Sequence, residues 1–393
     1  MGLGVHMEPI DKLSLLGEAA QYEAAEDVGV TGQRSAAPKV PRELAKCVSH
    51  ATLPGGRRIP MLRTLVSSVC ENDCRYCGFR SGRDTRRATF TPDELASLSD
   101  QLWRHGLVEG VFLSSGVVGG GPKTQDRIIA TAELLRRKYR FPGYLHVKIM
   151  PGAEFGQVAE TMRWADRVSV NLEAPNAKRL ADLAPSKQFS DQLLERLRWA
   201  NRLRYVARGK RRSLTTQFVV GPAGESDLEL LLTSSYLYSE LGLARAYFSG
   251  FRPVPNTPLE EQPAVNLRRE QRLYQASFLL RDYAFDVEEL PFSAAGDLPL
   301  DVDPKLAWAQ SNLKENPVEV NTADRRLLLR IPGIGPKGAE RILKARRQGH
   351  LRDLNHLHGL GISTKRAAPY VLLDGYRAAR QLSLWPVTGP VTG

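Results

Sequence analysis

Six short apolar runs rich in β-branched residues recur between Met61 and Arg252, and helix-like stretches separate them. The runs read MLRTLVSSV, GVFLSSGVV, YLHVKIM, RVSVNLE, LTTQFVVG and ARAYFSGFR. Strands that alternate with helices form parallel βαβ units with right-handed crossovers. The alternation therefore predicts an α/β fold built as a whole or partial barrel. An open doubly wound sheet fits less well, because no glycine-rich dinucleotide fingerprint follows the first run.

The stretches between the runs predict helices. One helix is expected over Thr91–His105, with Thr91 as its N-cap and Pro92 in its first turn. Further helices are expected within DRIIATAELLRRKY and SDLELLLTSSYLYSELG. These helices would supply the crossovers that a parallel sheet requires.

Three of the four cysteines lie within eight residues, as Cys70, Cys74 and Cys77 in the spacing C-x3-C-x2-C. Thiolates are soft ligands that suit zinc, copper(I) and iron–sulfur clusters. A structural zinc site needs four ligands, and here it would have to recruit Cys47 or His50 from the segment CVSH. The alternative is a [4Fe–4S] cubane held by three cysteines, whose fourth iron has no protein ligand and is open to substrate chemistry.

The cysteine triplet follows the run MLRTLVSSV directly and has Tyr76 just before its last thiol. It resembles the signature of radical S-adenosylmethionine (SAM) enzymes. The resemblance implies a partial (β/α)6 barrel, a [4Fe–4S] cluster on the three cysteines, and SAM at the open iron beside Tyr76. It also implies an electron donor such as flavodoxin or ferredoxin, reductive cleavage of SAM, and a 5′-deoxyadenosyl radical that abstracts hydrogen from a substrate.

Residues after two of the runs match SAM contacts of that family. Ser114, Ser115 and Gly116 stand where the family carries a Gly-Gly-Glu-like turn, although the acid of that turn is missing here. Asn171 and Glu173 match an Asn-x-acid pattern that holds the SAM ribose, and their i, i+2 spacing puts them on one strand face. The alternative for this pair is a strand end whose polar side chains bond to loop backbone.

A glycine-rich turn follows the fifth run, where Gly221 and Gly224 resemble another SAM-contacting turn of the family. Glu225 belongs either to this turn or to the start of the next helix, where an acid complements the helix dipole. All of these candidates follow strands, and barrel enzymes keep their sites at the carboxyl ends of their strands.

The segment VNTADRRLLLRIPGIGPKGAERILKAR predicts one helix that opens near Thr322, the turn IPGIG, and a second helix from about Pro336. Glycines let backbone N–H groups approach a phosphate closely, and the N-terminus of the second helix adds a positive dipole end. The pattern resembles a helix-hairpin-helix DNA-binding motif. The residues that this resemblance assigns to DNA contact are Gly333, Gly335, Lys337 and Arg341.

A second copy of the motif is predicted in LHGLGISTKRAAPY, with Gly359 and Gly361 at its turn and Lys365 after it. Paired hairpins of this kind bind the duplex backbone with little sequence preference, because phosphate contacts position a protein rather than specify a sequence. A helical pair used for protein contact or packing is the alternative.

The charge distribution favours a polyanionic partner. The chain has a net charge of +12, Arg196–Arg212 holds eight basic residues and no acid, and Val318–Arg377 holds twelve basic residues and five acids. Such segments attract nucleic acid. For Arg196–Arg212 taken alone, a solvated helix face is an equally good interpretation.

Four further stretches extend the resemblance from about Lys12 to Leu373: RRATFTPDEL, EGVFLSSGVV, DRVSVNLEAP and YFSGFRPVPNTPLE. They are similar to radical SAM proteins grouped as DNA modification/repair proteins, which implies a partner resembling uracil-DNA glycosylase. The leading hypothesis is a radical SAM enzyme that acts on nucleic acid, most simply DNA, in modification or repair. The alternatives are modification of RNA such as tRNA, and a non-catalytic iron–sulfur or zinc DNA-binding protein.

The predicted domain order is an N-terminal helical or irregular extension over 1–55, the partial barrel over 56–296, a linker over 297–317, the helix-hairpin-helix domain over 318–376, and a disordered tail over 377–393. No run of eighteen apolar residues predicts a membrane span, and no secretory signal opens the chain. Cysteines clustered in one loop suit a reducing compartment, so a cytoplasmic location is expected.

Overall fold

A computed structural model of the protein describes residues 7–20, 44–52, 56–205 and 211–377. The chain divides into two compact units, Met1–Tyr274 and Gln275–Gly393. No helix within the described ranges is both long enough and apolar enough to cross a lipid bilayer.

The first unit is built on one seven-stranded sheet. Its strands are β1 Val48–Thr52, β2 Arg58–Leu65, β3 Gly110–Ser114, β4 Tyr144–Lys148, β5 Arg167–Ser169, β6 Ser213–Val220 and β7 Arg245–Gly250. Sheet order equals chain order: β2 to β7 pair in parallel, and β1 pairs antiparallel with β2. The six predicted runs form the six parallel strands, so the predicted α/β partial barrel with a C-terminal helix-hairpin-helix region is confirmed.

β1 is a strand that the sequence does not predict, because it lies within the expected helical or irregular extension over 1–55. It pairs with β2 in the register Val48↔Leu62 to Thr52↔Arg58. Ala51 is buried together with Ile59 and Met61 of β2. Five residues with one buried position are too few to show an alternating pattern, so only the partner strand identifies this segment.

Helices cover the connections: α1 Pro9–Ala20, α2 Pro92–Arg104, α3 Gly120–Arg137, α4 Phe155–Trp164, α5 Ala177–Leu183, α6 Glu195–Arg202, α7 Asp227–Ser239 and α8 Leu267–Asp282. Thr91 caps α2 as expected: its hydroxyl accepts from the Glu94 N–H, and the Glu94 carboxylate accepts from the Thr91 N–H. Ser226 and Glu229 form the same reciprocal pair at α7. Both helices therefore begin where local hydrogen bonds satisfy their first N–H groups.

The parallel register brings the ends of neighbouring strands together. Leu65 of β2 pairs with Ser114 of β3, and Lys148 of β4 pairs with Ser169 of β5. The segments that follow these strands therefore leave the sheet along one edge, the carboxyl mouth of the half-barrel.

The second unit contains five more helices: α9 Pro304–Asn312, α10 Arg325–Leu328, α11 Pro336–Ala345, α12 Leu354–Gly359 and α13 Thr364–Ala367. Three short strands, β8 Val318–Glu319, β9 Val371–Leu373 and β10 Tyr376–Arg377, form a sheet in the order β10-β9-β8. α10 begins after Asp324, whose carboxylate accepts from the Leu327 N–H, rather than near Thr322 as predicted. The aspartate provides the stronger cap.

The segment predicted as a linker, 297–317, contains α9. Ala309 of α9 and the following Leu313 are buried in the same core as Ile334 and Ile342 of the first hairpin. A helix of nine residues among Pro and Asp shows too short an apolar pattern to be assigned to a core from sequence. Of the predicted tail 377–393, residues 378–393 lie outside the described residues, as do 1–6, 21–43 and 53–55 of the predicted extension.

Candidate cofactor pocket and hairpin region

The cysteine loop follows β2 and is held by backbone hydrogen bonds to the turn after β3. The Gly116 N–H donates to the Ser67 carbonyl and the Glu71 N–H to the Val117 carbonyl. Gly116 is required at this contact, because a Cβ there would stand 2.2 Å from the Val69 carbonyl oxygen. The loop that carries the thiols is therefore fixed against the neighbouring strand end.

The three thiols face one pocket. Cys74 is 5% exposed, and Cys70 and Cys77 are half-buried. The Val117 N–H donates to Cys70 Sγ and the Phe79 N–H to Cys77 Sγ, each at 3.4 Å. N–H donors on cysteine sulfurs stabilise negative charge there and are one of the features that set the potential of an iron–sulfur cluster.

The pocket contains about 770 Å³ of space, part of it open to solvent. Its polar lining comes from the loop after β2 and from the ends of β3 to β6. The members are Cys70, Asn72, Cys74, Tyr76, Cys77, Ser115, Gly116, Lys148, Asn171, Glu173, Lys187 and Gln217. The structure thus brings together eight residues proposed from the sequence, namely the three cysteines, Tyr76, Ser115, Gly116, Asn171 and Glu173.

Three residues proposed for SAM contact, Ser114, Gly221 and Gly224, do not line this pocket. Ser114 is the last residue of β3 and is fully buried. Gly221 has φ +105°, and a Cβ there would approach Val265 Cγ2 to 2.2 Å. Its N–H donates to the Glu225 carboxylate, which is 3% exposed, and burial raises the pKa of that carboxyl. Gly221 and Glu225 therefore organise their own turn.

Glu173 has an unusual backbone for a non-glycine residue, with φ +64°. The conformation is held from both sides, because its N–H donates to the Gln217 carbonyl and its own carbonyl accepts from the Val219 N–H. Non-glycine residues in this region are strained and cluster at functional sites. Glu173 thus lies beyond the end of β5 rather than on a strand face, and it lines the pocket.

Lys187 is the main pocket residue that sequence reasoning missed. Its Nζ lies 3.0 Å from Glu173 Oε1, and the two side chains are only 8% and 4% exposed. Burial lowers the pKa of Lys187, but the negative charges of Cys74 and Glu173 outweigh it and leave that pKa raised. The sequence offers no signal for the pair, because a lysine fourteen residues beyond an acid in a loop has no defined position until the loop folds.

Burial also raises the pKa values of Tyr76 and Cys77, the latter to about 12, and nearby negative groups add to both shifts. The Tyr76 hydroxyl is hydrogen-bonded to Glu173. Burial raises the pKa of Cys74 too, so the Cys74 and Cys77 thiols lie where a free thiolate is unfavourable. A positively charged metal centre would reverse that balance, since metal coordination deprotonates a thiol outright.

The leftover cysteine lies elsewhere. Cys47 is 1% exposed, its Sγ donates to the Leu13 carbonyl at 3.4 Å, and neither it nor His50 is among the residues that line the thiol pocket. Within the described ranges, no group of three His, Cys, Asp or Glu side chains is placed to hold a metal ion. The three thiols nonetheless share one pocket with N–H donors on two sulfurs, so the residues present fit a cluster held at three corners.

The first hairpin turn joins α10 and α11. Gly333 has φ +86°, and a Cβ there would come within 2.7 Å of the Ser363 carbonyl oxygen, so this position needs glycine. Gly335 is the N-cap residue of α11, and Ile334 between the glycines is 1% exposed in the core. The turn therefore presents backbone at the start of α11, as the motif requires.

The second hairpin turn joins α12 and α13. Gly361 has φ +73°, while Gly359 is the last residue of α12 and has open space around its Cα. Lys337 and Lys365 are exposed next to the two turns. Arg341 is exposed as well, and its Nη1 donates to the Leu360 carbonyl at 2.9 Å, so this side chain ties the second turn to α11.

Among the described residues of the basic run Arg196–Arg212, three arginines pack against the fold, whereas Arg198, Arg202 and Arg211 are exposed. Arg204 and Arg212 are 6% and 7% exposed and donate to the carbonyls of Gly242 and Met162. Arg196 donates to the Ala153 carbonyl and stacks 4.6 Å from the Trp199 ring. Residues 206–210 of the run lie outside the described residues. The expectation that the whole run holds a nucleic-acid backbone is therefore wrong for the three packed arginines.

Two sequence models match the chain. Residues 64–235 match the radical SAM superfamily, and residues 313–368 match the helix-hairpin-helix motif. The chain therefore contains a radical SAM domain followed by a helix-hairpin-helix motif. The cofactors of a radical SAM domain are a [4Fe–4S] cluster and SAM, and these are the cofactors of this one. A search of curated proteins found no match.

Solved structures with a similar fold include methylornithine synthase PylB, at 14% identity and TM-score 0.46, covering 55% of this chain and 60% of that chain. The hydrogenase maturase HydG from Carboxydothermus hydrogenoformans matches at 14% identity and TM-score 0.45, over 55% and 50% of the two chains. The methyltransferase TsrM from Kitasatospora setae matches at 15% identity and TM-score 0.39, over 65% and 46%. The chain thus spans 46% to 60% of the length of these structures.

Proposed function

We propose that this protein is a radical SAM enzyme that acts on nucleic acid, most simply DNA, in its modification or repair. The observation that carries the enzyme part is the pocket that the three cysteines share with Tyr76, Asn171 and Glu173. A [4Fe–4S] cluster held by Cys70, Cys74 and Cys77 would supply the electron for reductive cleavage of SAM, and the radical from SAM would remove a hydrogen atom from the substrate.

In this proposal, residues of the chain bind the cluster and orient SAM. Cys70, Cys74 and Cys77 hold the cluster, and N–H groups of Val117 and Phe79 stabilise two of the sulfurs. Ser115 and Gly116 line the pocket next to Cys70 and are the proposed contacts of the SAM amino group, although the Gly116 N–H is already bonded to the Ser67 carbonyl. Asn171 is the proposed ribose contact, since it lines the pocket and is half-buried.

The role of Glu173 differs from the ribose contact that the resemblance assigns to it. Its carboxylate is already bonded to Lys187 Nζ and to the Tyr76 hydroxyl. A ribose hydroxyl can still donate to a carboxylate, which accepts about four hydrogen bonds. We therefore assign to Glu173 the positioning of Tyr76 and Lys187, with contact to the ribose as a shared role.

The nucleic-acid part is supported by the hairpin region. Lys337 and Lys365 are exposed beside turns that need glycine at Gly333 and Gly361. The segment Val318–Arg377 holds twelve basic and five acidic residues, so its net charge is +7. Backbone N–H groups and a helix N-terminus suit phosphate. An atom inside a stacked duplex cannot reach the barrel mouth, so a flipped or single-stranded nucleotide is implied.

The test is an anaerobic reaction with SAM, dithionite and deuterated oligonucleotides, in which deuterium is sought in 5′-deoxyadenosine by mass spectrometry. The expected result is label transfer from DNA by the native protein, and loss of both iron and SAM cleavage in Cys74→Ser. Cys47→Ser is the matched control, because it makes the same exchange at a buried thiol outside the pocket and should keep both. Zinc in place of iron, with no deoxyadenosine formed, would support the non-catalytic alternative.

Competition among duplex DNA, single strands and tRNA separates DNA from RNA as the target. Binding to the preferred nucleic acid should weaken steeply with salt, and a salt-insensitive affinity would contradict backbone recognition. The double variant Lys337→Ala/Lys365→Ala should lower the slope of log affinity against log salt by about two for a duplex, roughly 0.9 per lost phosphate contact. Lys138→Ala, at an exposed lysine of the first unit, should leave the slope unchanged.

A further inference from the structure

A cavity of about 730 Å³, partly open to solvent, lies within the second unit beside the first hairpin turn. Gly333 and Gly335 of that turn line it, together with Tyr283, Asp303, Lys305 and Arg366. The radical chemistry assigned above uses none of these side chains. The cavity therefore places a lysine and an aspartate next to the backbone that is proposed to meet DNA.

Lys305 is the unusual member of this group. It is the second residue of α9 and is only 9% exposed. Its Nζ donates to the Ile334 carbonyl at 2.5 Å and lies 4.7 Å from the centre of the Tyr283 ring. The nearby Asp303 carboxylate is bound by Arg366 Nη2 at 2.5 Å, so Arg366 competes with Lys305 for this carboxylate.

These surroundings disfavour the ammonium form. Burial, together with the positive charges of Arg366 and Arg330, lowers the pKa of Lys305 to about 7, and Asp303 opposes this shift. The N-terminal turn of a helix also disfavours a cation. About half of the amine is then neutral at pH 7, and a neutral lysine amine keeps a lone pair for attack on a carbonyl carbon even while one N–H is donated.

We propose that Lys305 is a nucleophilic amine that forms an imine with the aldehyde of a base-free deoxyribose presented in this cavity. The aldehyde is argued from position, because the turn beside Lys305 is the proposed phosphate contact. In a DNA strand, the unit that carries an aldehyde is the ring-opened sugar that has lost its base. Such a unit leaves the stack without breaking a base pair, which lowers the cost of extrusion.

The covalent step balances without a redox partner. The nitrogen lone pair of Lys305 adds to the aldehyde carbon, the carbonyl electrons move to oxygen, and a proton passes from nitrogen to that oxygen. Loss of the hydroxyl and the second N–H proton as water gives the imine. Borohydride, added as a reagent, delivers hydride to the imine carbon while nitrogen takes a proton from water, and a stable secondary amine results.

The inference rests on the proposed function in one respect, since the hairpins must bring DNA to the cavity. The test uses the full-length protein, a duplex with one abasic site, borohydride, and free 2-deoxyribose 5-phosphate as a second aldehyde. The expected product is a one-to-one adduct that peptide mass mapping places on Lys305. The adduct should form about tenfold more slowly at pH 5.9 than at pH 8, because the neutral fraction of the amine falls about tenfold. A duplex that carries tetrahydrofuran in place of the sugar has no aldehyde and should give no adduct.

Peptide mapping keeps the test independent of any variant that fails to fold. Lys305→Met should abolish the adduct, while Lys138→Met, at an exposed lysine of the first unit, should keep it. Duplex binding by anisotropy without an adduct on Lys305 overturns this inference and leaves the nucleic-acid proposal standing. An adduct on Lys305 with the free sugar phosphate but no duplex binding supports the amine and overturns the DNA target. Adducts spread over exposed lysines such as Lys337 and Lys365 overturn the assignment to Lys305.

Discussion

Among the described residues, each unit contains a lysine whose side chain is buried, and the surroundings of Lys187 and Lys305 have opposite electrostatic effects. Lys187 in the first unit meets the Glu173 carboxylate at 3.0 Å, and its pKa is raised. Lys305 in the second unit meets a carbonyl and two arginine charges, and its pKa falls to about 7. Burial disfavours the cation at both positions, so the neighbours decide the outcome. The first pocket therefore holds a lasting positive charge, and the second holds an amine that is about half neutral at pH 7.

The largest expected effect comes from breaking the first pair. Lys187→Met leaves the Glu173 carboxylate buried without its cation, and removal of one partner of a buried pair costs about 3–5 kcal/mol of stability. Urea unfolding of the metal-free protein measures it. The exposed Lys178→Met should change stability by less than about 0.5 kcal/mol.

A double-mutant cycle sharpens this result. Glu173→Gln alone leaves Lys187 uncompensated and should also destabilise, whereas the double variant should recover part of the loss, because neither charge is then left alone. If both single variants cost less than 1 kcal/mol and their effects add, Lys187 and Glu173 are not coupled and the contrast between the two lysines fails.

The lowered pKa of Lys305 predicts that the stability of the second unit depends on pH. The pKa of Lys305 is about 7 in the folded protein and 10.5 in the unfolded chain, so the unfolded chain binds more protons between these values. Stability should therefore rise with pH across that window, by about 2 kcal/mol between pH 7 and pH 9. Hydrogen exchange of the peptides covering α11, corrected for intrinsic rates, measures it.

Lys305→Met is the matched variant for this effect, since it keeps the length of the side chain and removes the titrating group. The rise in stability between pH 7 and pH 9 should disappear in the variant, and its remaining pH dependence gives the contribution of all other groups. Equal slopes in the native protein and the variant would mean that Lys305 stays charged in the fold, and the cavity would then hold a second cation rather than an amine.

The two lysines also show where sequence reasoning stops. Strand order, the cysteine spacing and the hairpin glycines are local or periodic signals, and from them came the half-barrel, the thiols of Cys70, Cys74 and Cys77, and the turns at Gly333 and Gly361. Lys187 and Lys305 carry no such signal. Each acquires its role from groups far away in the chain, such as Ile334, whose carbonyl lies 29 residues beyond Lys305.

Charge counts mislead for a related reason. The sequence of the run Arg196–Arg212 suggests an exposed basic surface. Arg204 and Arg212 are nevertheless buried and donate to the backbone carbonyls of Gly242 and Met162. Arginine is well suited to this, because its five N–H groups satisfy several carbonyls at once. A basic run therefore predicts a nucleic-acid surface only after its members are found to be exposed, as Lys337 and Lys365 are.

The smallest expected effect concerns the second hairpin turn of the second unit, where Gly359 and Gly361 provide a matched pair. Gly361→Ala places a Cβ at φ +73° and 2.7 Å from Arg341 Nη1. The guanidinium end can move, so the cost is mainly that of the left-handed backbone, about 1–2 kcal/mol. Gly359→Ala has open space at a helical position and should be neutral or stabilising by up to about 1 kcal/mol.

Thermal unfolding of the two variants separates a requirement for glycine from a preference for it. Gly361→Asn refines the result, because asparagine tolerates positive φ better than alanine and should recover part of the loss. Equal destabilisation by alanine at both positions would mean that Gly359 also adopts a strained backbone. In that case the two glycines of the second turn would be equivalent, and the turn would need both of them to present its backbone.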